Sequence, residues 1–519
     1  LRRKERVEEL ETDVVVIGSG AGGAVVAKEL SSAGHRVAII EEGYYFKRDH
    51  FRLNPVESFR TMYRQGGTTI ALGAPFITLP LGRTVGGTTT INSGTCLRMP
   101  HRVLKRWHVE LGLGSIDWEE LNLIYGAIEE YLFVKRADPE VAGRNAKLFL
   151  ETAERLGLSG GWLPRNAKDC EGYGVCVFGC PSGAKQSMDV SYIPDALAAG
   201  AVLHSRSRAE RIIVEDGRAT GVEARRLGAP LAGEDRLRVN ARAVVLAAGA
   251  IYTPYLLLAQ GICNSSGMVG RNLHIHPATG VIAELGERLD NPKGIPQSSY
   301  VDEFEAEGVM LEGGTVPPGV HAMALPFCGR RHRAHMNSYP YTGIFGAMIS
   351  EKKSEGRVLC PPGARRPIIL YQLRGEDVER TRFATALLAH IWFAAGAKKV
   401  YTPIYGFYEI SNSRELAGLE RARIRPSDIA YMSAYHPMGT CRMGTSPEDS
   451  VVKDTCETWD VRNLYIVDGS IIPSSLGVNP QLTIMAMATR AAGFIDEHLG
   501  GSKAELSARG FDRSDSRGL

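Results

Sequence analysis

Thr12-Asp13-Val14-Val15-Val16-Ile17-Gly18-Ser19-Gly20-Ala21-Gly22-Gly23 is the stretch whose reading decides the fold. A continuous β-branched run ends directly on glycines, and an Ala/Val/Leu-rich helical pattern follows through Ser31, which reads as strand, tight turn and helix. Gly18, Gly20 and Gly23 form Gly-x-Gly-x-x-Gly. At this place such glycines let the backbone turn sharply and approach a pyrophosphate lying on the helix N-terminus. Val37 to Ile40 is a second buried strand, and it ends at Glu41, 18 positions after Gly23. A carboxylate there can accept hydrogen bonds from the adenosine ribose. This half-site recognises an ADP moiety and does not separate FAD from NAD.

Two more apolar strands of the same kind lie far along the chain. Ala243 to Leu246 runs into Ala247-Ala248-Gly249-Ala250, and Leu464 to Val467 ends at Asp468-Gly469. Three widely separated strands of one type predict an α/β fold with one discontinuous Rossmann-like domain. Val202 to Ala224 carries hairpin-like alternation with a turn at Asp216-Gly217. Thr279 to about Tyr405 mixes strand-like stretches with Gly/Pro loops and one helical stretch near Thr381 to Ala395. The resulting division places an FAD-binding domain in 1–100, 186–280 and 432–500. An insertion carrying a cysteine cluster occupies 101–185, an inserted antiparallel-sheet substrate domain 281–431, and a flexible tail 501–519.

Composition narrows the function classes. The chain has 519 residues, 44% apolar and 23% charged, enough to fill a large interior. A formal net charge of +3 without a long basic run argues against nucleic acid. No stretch approaches the roughly 18 apolar residues that span a bilayer. Leu1 to Leu10 lacks the apolar segment of a secretory signal. The expectation is a cytoplasmic chain, with a periplasmic place still open by export alongside a partner.

Three further motifs carry a resemblance. Gly82-Arg83-Thr84-Val85-Gly86-Gly87-Thr88-Thr89-Thr90-Ile91-Asn92 looks like the first signature of the glucose-methanol-choline oxidoreductase family. Gly249-Ala250-Ile251-x-Thr253-Pro254-x-Leu256-Leu257 looks like its second. The C-terminal block Ser433-Ala434-Tyr435-His436-Pro437, Asp468-Gly469-Ser470-Ile471-Ile472-Pro473 and Val478-Asn479-Pro480 is similar to the family's active-site block. The resemblance spans almost the whole chain and implies FAD. Gly86 and Gly87 would lie against the cofactor, and Asn92 could donate to a flavin edge. Asp468, Gly469 and Thr483 are implied as cofactor neighbours, and Val202 is counted with them. Neither signature holds a histidine where some relatives attach FAD covalently, so the cofactor is expected to be non-covalent.

By the same resemblance His436 and Asn479 take the catalytic positions. A neutral imidazole with an ordinary pKa near 6.5 suits removal of a hydroxyl proton while the carbon gives a hydride to flavin N5. An asparagine amide cannot take that proton but can hold the oxygen. Leu273-His274-Ile275-His276-Pro277 offers a His-x-His pair without a third ligand and reads as a structural loop. Cys328, His332 and His335 read as a solvated basic surface.

Cys170, Cys176 and Cys180 stand on a Gly-rich loop as Cys-x5-Cys-x3-Cys-Pro. Three thiolates so spaced could converge on an iron-sulfur cluster; no fourth ligand is local, which favours the three-iron type over a four-iron cluster with an outside ligand. The alternative is buried or disulfide-linked thiols on a loop over the flavin. A cluster would relay single electrons to a cytochrome or quinone-linked partner; without one, oxygen could be the direct acceptor. The segment resembles both iron-sulfur-containing glucose dehydrogenase subunits and long-chain alcohol oxidase-like proteins. Tyr63-Arg64-Gln65-Gly66-Gly67-Thr68-Thr69 and the Gly179-Cys180-Pro181-Ser182-Gly183-Ala184-Lys185 element place hydrophobic alcohols ahead of sugars. A sugar dehydrogenase, a redox-neutral cyanohydrin lyase and a light-driven decarboxylase remain alternatives on one fold.

Overall fold

The computed structural model describes residues 7–51, 54–228, 236–289 and 293–501. The expected tail lies outside these residues from 502 onward. Val7–Ile17 is the central strand of a seven-stranded sheet. It pairs in parallel with Val37–Ile40 on one side and Arg236–Leu246 on the other. Val202–His204 extends the first side in parallel, and Leu464–Ile466 pairs in parallel with the end of Arg236–Leu246. The three distant apolar runs thus share one sheet, as expected. Its Val14, Val15 and Val16 are fully buried, the pattern of parallel strands covered on both faces. The predicted hairpin is Ser207–Glu215 with Arg218–Arg226, turning at Asp216 and Gly217, both at positive φ. It joins Arg236–Leu246 antiparallel.

Parallel strands align their carboxyl ends. Gly18, Glu41, Ala247 and Asp468 therefore emerge along one edge of the sheet, where ligands of open α/β sheets bind. The helix Ala21–Ser32 starts at that edge and packs on the helices Tyr192–Ala198 and Gln481–Leu499. Its approach depends on glycine: a Cβ on Gly22 would stand 1.6 Å from the Val467 carbonyl oxygen.

A second sheet of ten strands centres on Ala278–Glu284 and Thr342–Ile349, which pair antiparallel. Alternation divides its residues. Val281, Ala283, Phe345, Ala347 and Ile349 are buried in a core with the helices Arg144–Arg155 and Gly375–Ala394, where Phe149 stacks on Phe345 at 3.7 Å and meets Trp392 at 5.0 Å. Ala278, Gly280, Ile282, Ile344, Gly346 and Met348 face a cavity between the sheets.

The expected block boundaries differ from this arrangement in two places. Ile70–Ala71 and Ile77–Thr78, from the first block, pair into the second sheet. The segment 101–185 is not a separate insertion. Its helices His101–Leu111 and Trp118–Tyr131 bury Leu104, Trp107, Leu121 and Tyr125 in the core of the first sheet, while Gly160–Trp162 is an edge strand of the second. Chain neighbours part here because each amphipathic face follows whichever core covers it.

Candidate active site

The cavity between the sheets has a volume of about 1630 Å3, beyond the roughly 300–1,000 Å3 of pockets for single small molecules. At its first-sheet end lies the glycine turn. Gly18 has φ +102°, and a Cβ there would lie 2.3 Å from the Ala247 carbonyl oxygen. Gly23 is equally tight, its Cβ position 2.0 Å from the Gly18 oxygen. Gly20 differs: nothing lies within 4 Å of its Cβ position, which opens into the cavity. It caps the helix Ala21–Ser32 without a side-chain partner for the helix N–H groups, and the first turn holds no acid. Unsatisfied N–H groups and the positive end of the helix dipole suit a phosphate.

The first signature loop closes on this turn. Gly86 N–H donates to Ser19 Oγ at 3.1 Å, and a Cβ on Gly87 would lie 2.9 Å from the Gly20 Cα. Glu41 accepts from Ser19 N–H at 3.1 Å, Ser19 Oγ at 2.7 Å and Gly43 N–H at 2.6 Å. Burial raises its carboxyl pKa against these bonds. Asn92 lines the cavity and donates to Gln481 Oε1 at 2.6 Å. Asp468 accepts from Gly249 N–H and Ser470 N–H, both at 2.8 Å, and from Thr253 Oγ1, tying the second signature to the strand end. Gly469 lines the cavity beside it. Two expected cofactor neighbours are placed elsewhere. Thr483 is fully buried with its hydroxyl 3.1 Å from Tyr125 Oη, and Val202 is 53% exposed on an edge strand.

These residues fit FAD: an open Cβ position, free helix N–H groups and a cavity long enough to link the glycine turn to the second sheet. At that far end His436 and Asn479 meet, with Asn479 Nδ2 3.2 Å from His436 Nε2. Burial lowers the His436 pKa to about 4, so the ring is neutral at ordinary pH. Its Nδ1 is 3.1 Å from Nδ1 of His276, which is 1% exposed. His276 Nε2 accepts from Leu476 N–H and Gly477 N–H, both at 3.2 Å, and Glu351 accepts the backbone N–H groups of Ile275 and His276 at 2.6 and 2.9 Å. The loop expected to be merely structural therefore positions the His436 ring. Glu312 completes the group. It borders the cavity against Asn479 and Gln297, and burial raises its carboxyl pKa to about 7.

Sequence pattern alone does not assign His276 and Glu312 to the site. His276 had a signal, the His-x-His-Pro stretch, read only against metal binding. Glu312 had none, because a single acid in a strand looks like any solvent-facing residue.

The expected iron-sulfur cluster at Cys170, Cys176 and Cys180 finds no support in the structure. Among the described residues no three His, Cys, Asp or Glu side chains converge to hold a metal ion. Cations stand among the thiols instead. The Arg165 guanidinium lies 4.0 Å from Cys170 Sγ and 3.5 Å from Cys176 Sγ. Cys180 Sγ accepts the Lys185 backbone N–H at 3.5 Å. Burial, opposed by Arg165 and Lys185, raises the Cys176 pKa. The buried Lys185 ammonium donates to the carbonyls of Thr90 at 2.8 Å and Asn92 at 2.7 Å and of Cys176 at 3.2 Å, fastening the cysteine loop to the first signature.

Comparisons with known proteins agree with this geometry. Residues 13–51 match an FAD binding domain, and residues 59–278 and 353–488 match the GMC oxidoreductase N- and C-terminal models. An uncharacterized GMC-type oxidoreductase of Mycobacterium tuberculosis is 39% identical over 92% of this chain and 75% of its own length. A long-chain-alcohol oxidase of Arabidopsis thaliana is 28% identical over 94% of this chain and 67% of its own. In fold, the crystal structure of pyridoxine 4-oxidase from Mesorbium loti matches with a TM-score of 0.71 at 20% identity, over 92% of this chain and 98% of that one. The chain belongs to the GMC oxidoreductase family, the FAD-dependent enzymes whose resemblance its motifs carry.

Proposed function

We propose that this enzyme oxidises the CH–OH group of a hydrophobic alcohol, with FAD held without a covalent bond. The observation that carries the reading is the His436–Asn479 pair at 3.2 Å, set across one cavity from the open Gly20 turn. Bound FAD would supply the hydride acceptor. The chain's own residues do the rest. Asn479 holds the hydroxyl oxygen and orients the carbon, and His436, neutral and buttressed by His276, is the base for the hydroxyl proton. The far wall of the cavity supports an apolar substrate, since Ile282, Ile344 and Met348 of the second sheet and Val320 and Met323 of the helix Pro318–Ala324 line it. The long-chain-alcohol oxidase relatives point the same way.

The test is turnover of a series of primary alcohols of increasing chain length, followed by both oxygen uptake and dye reduction. kcat/KM is expected to rise with chain length. A His436→Ala variant should lose about 10²–10⁴-fold in kcat with FAD still bound. Equal turnover of glucose and alkanols, or normal activity in His436→Ala, would remove this reading.

A further inference from the structure

The hairpin of Glu355–Leu359 and Ile368–Gln372 has one ordinary face. Val358, Ile369 and Tyr371 are 1%, 3% and 2% exposed in a core with Leu273 and Ile275. Alternation should then place polar residues on the other face. Instead Leu359 stands opposite Ile368, and Leu370 lies between Arg357 on one side and Leu72, bridged from the neighbouring chain segment, on the other. Ile70 follows Leu72 in parity, and Phe76 ends the same short turn. Exposure is 37% at Ile368, 47% at Leu72, 41% at Ile70 and 63% at Phe76. Water-facing apolar side chains gathered this densely mark a contact surface.

Charge says what it contacts. Lys352, Lys353, Arg357, Arg365 and Arg366 are exposed along the same hairpin, against a single exposed acid, Glu355. Among the described residues none of the five cations is within ion-pair distance of a carboxylate. Arg365 and Arg366 also line the cavity, so the face borders the opening. Apolar side chains fringed by unpaired cations fit a layer that is hydrocarbon below and phosphate above.

We propose that this face docks on an anionic phospholipid bilayer, with Leu72, Phe76, Ile368 and Leu370 entering the acyl boundary and the cations meeting headgroup phosphates. The assignment stands on the surface alone and does not depend on which alcohol is oxidised.

The experiment is flotation of the FAD-loaded enzyme with vesicles of phosphatidylcholine alone and of phosphatidylcholine mixed with phosphatidylglycerol. Binding is expected only to the anionic vesicles and should weaken with salt. Each cation near such a surface is worth about 1 kcal/mol, or about five-fold in partition, so Lys352→Gln/Lys353→Gln/Arg357→Gln should bind about 100-fold more weakly. Leu72→Asp/Phe76→Asp should not float. Neither set lines the cavity, so both should keep the flavin spectrum and turnover of a short, water-soluble alcohol. Three results would overturn the proposal: a wild-type enzyme that stays with neither vesicle, variants that float as well as wild type, or a dimer that Leu72→Asp/Phe76→Asp splits without any lipid binding.

Discussion

Gly20→Ala separates the cofactor cradle from the fold. Gly20 has φ −72° and ψ −165°, which alanine adopts, and its Cβ position is empty to 4 Å. Replacing glycine at a compatible site stabilises by ~0.4–1 kcal/mol through the unfolded chain. Alanine as an N-cap costs about 1 kcal/mol. The two roughly cancel, so the apoprotein should melt within a few degrees of wild type. The added methyl stands where the pyrophosphate would approach. Loss of one charge-assisted hydrogen bond costs about 1.5–3 kcal/mol, which weakens FAD about 10- to 150-fold. Gly22→Ala should do the reverse. Its methyl would press to 1.6 Å from the Val467 oxygen, an overlap that only a shift of helix from strand relieves, at about 3 kcal/mol or more. Titration of both apoproteins with FAD, beside thermal melts, reads the contrast. Unchanged FAD affinity in Gly20→Ala with a normal melt would refute the placement of the pyrophosphate.

Other outcomes follow from the same geometry. His276→Ala should lower kcat by an order of magnitude or more with FAD binding unchanged, because it frees the His436 ring without removing it; a normal kcat would show that the ring needs no support. Since burial lowers the His436 pKa to about 4, its neutral form persists down to that pH, and in Glu312→Gln kcat/KM should stay level until pH drops through about 4. Glu312, raised to about 7 beside Asn479, becomes negative above that pH and stabilises the positive charge that His436 gains with the hydroxyl proton, so turnover should rise through pH 7 and the rise should vanish in Glu312→Gln. Iron analysis of the purified enzyme should find no stoichiometric iron; a full complement lost from Cys176→Ser would restore the cluster.

Local chemistry made the FAD end legible. Gly18, Gly20, Gly23 and Glu41 are close in sequence because a strand, its turn and the next strand form one compact unit, and the period change at Ile17 marks it. The cysteine loop is less legible for the complementary reason. Spacing reports which thiols can reach one point, but not what else reaches it, and Arg165 and Lys185 come from outside the motif.

The sequence by itself determined the strand–turn–helix, the parallel class of the sheet, the family motifs and the residue types of the catalytic pair, all carried by short-range pattern. Only the tertiary structure decided that 101–131 packs into the first core, that His276 buttresses His436, that Glu312 stands against Asn479 and that the cysteines lie among cations. Those contacts join residues from 5 to 358 positions apart, and their partners are selected by the packing of two sheets around one cavity, which no local pattern records.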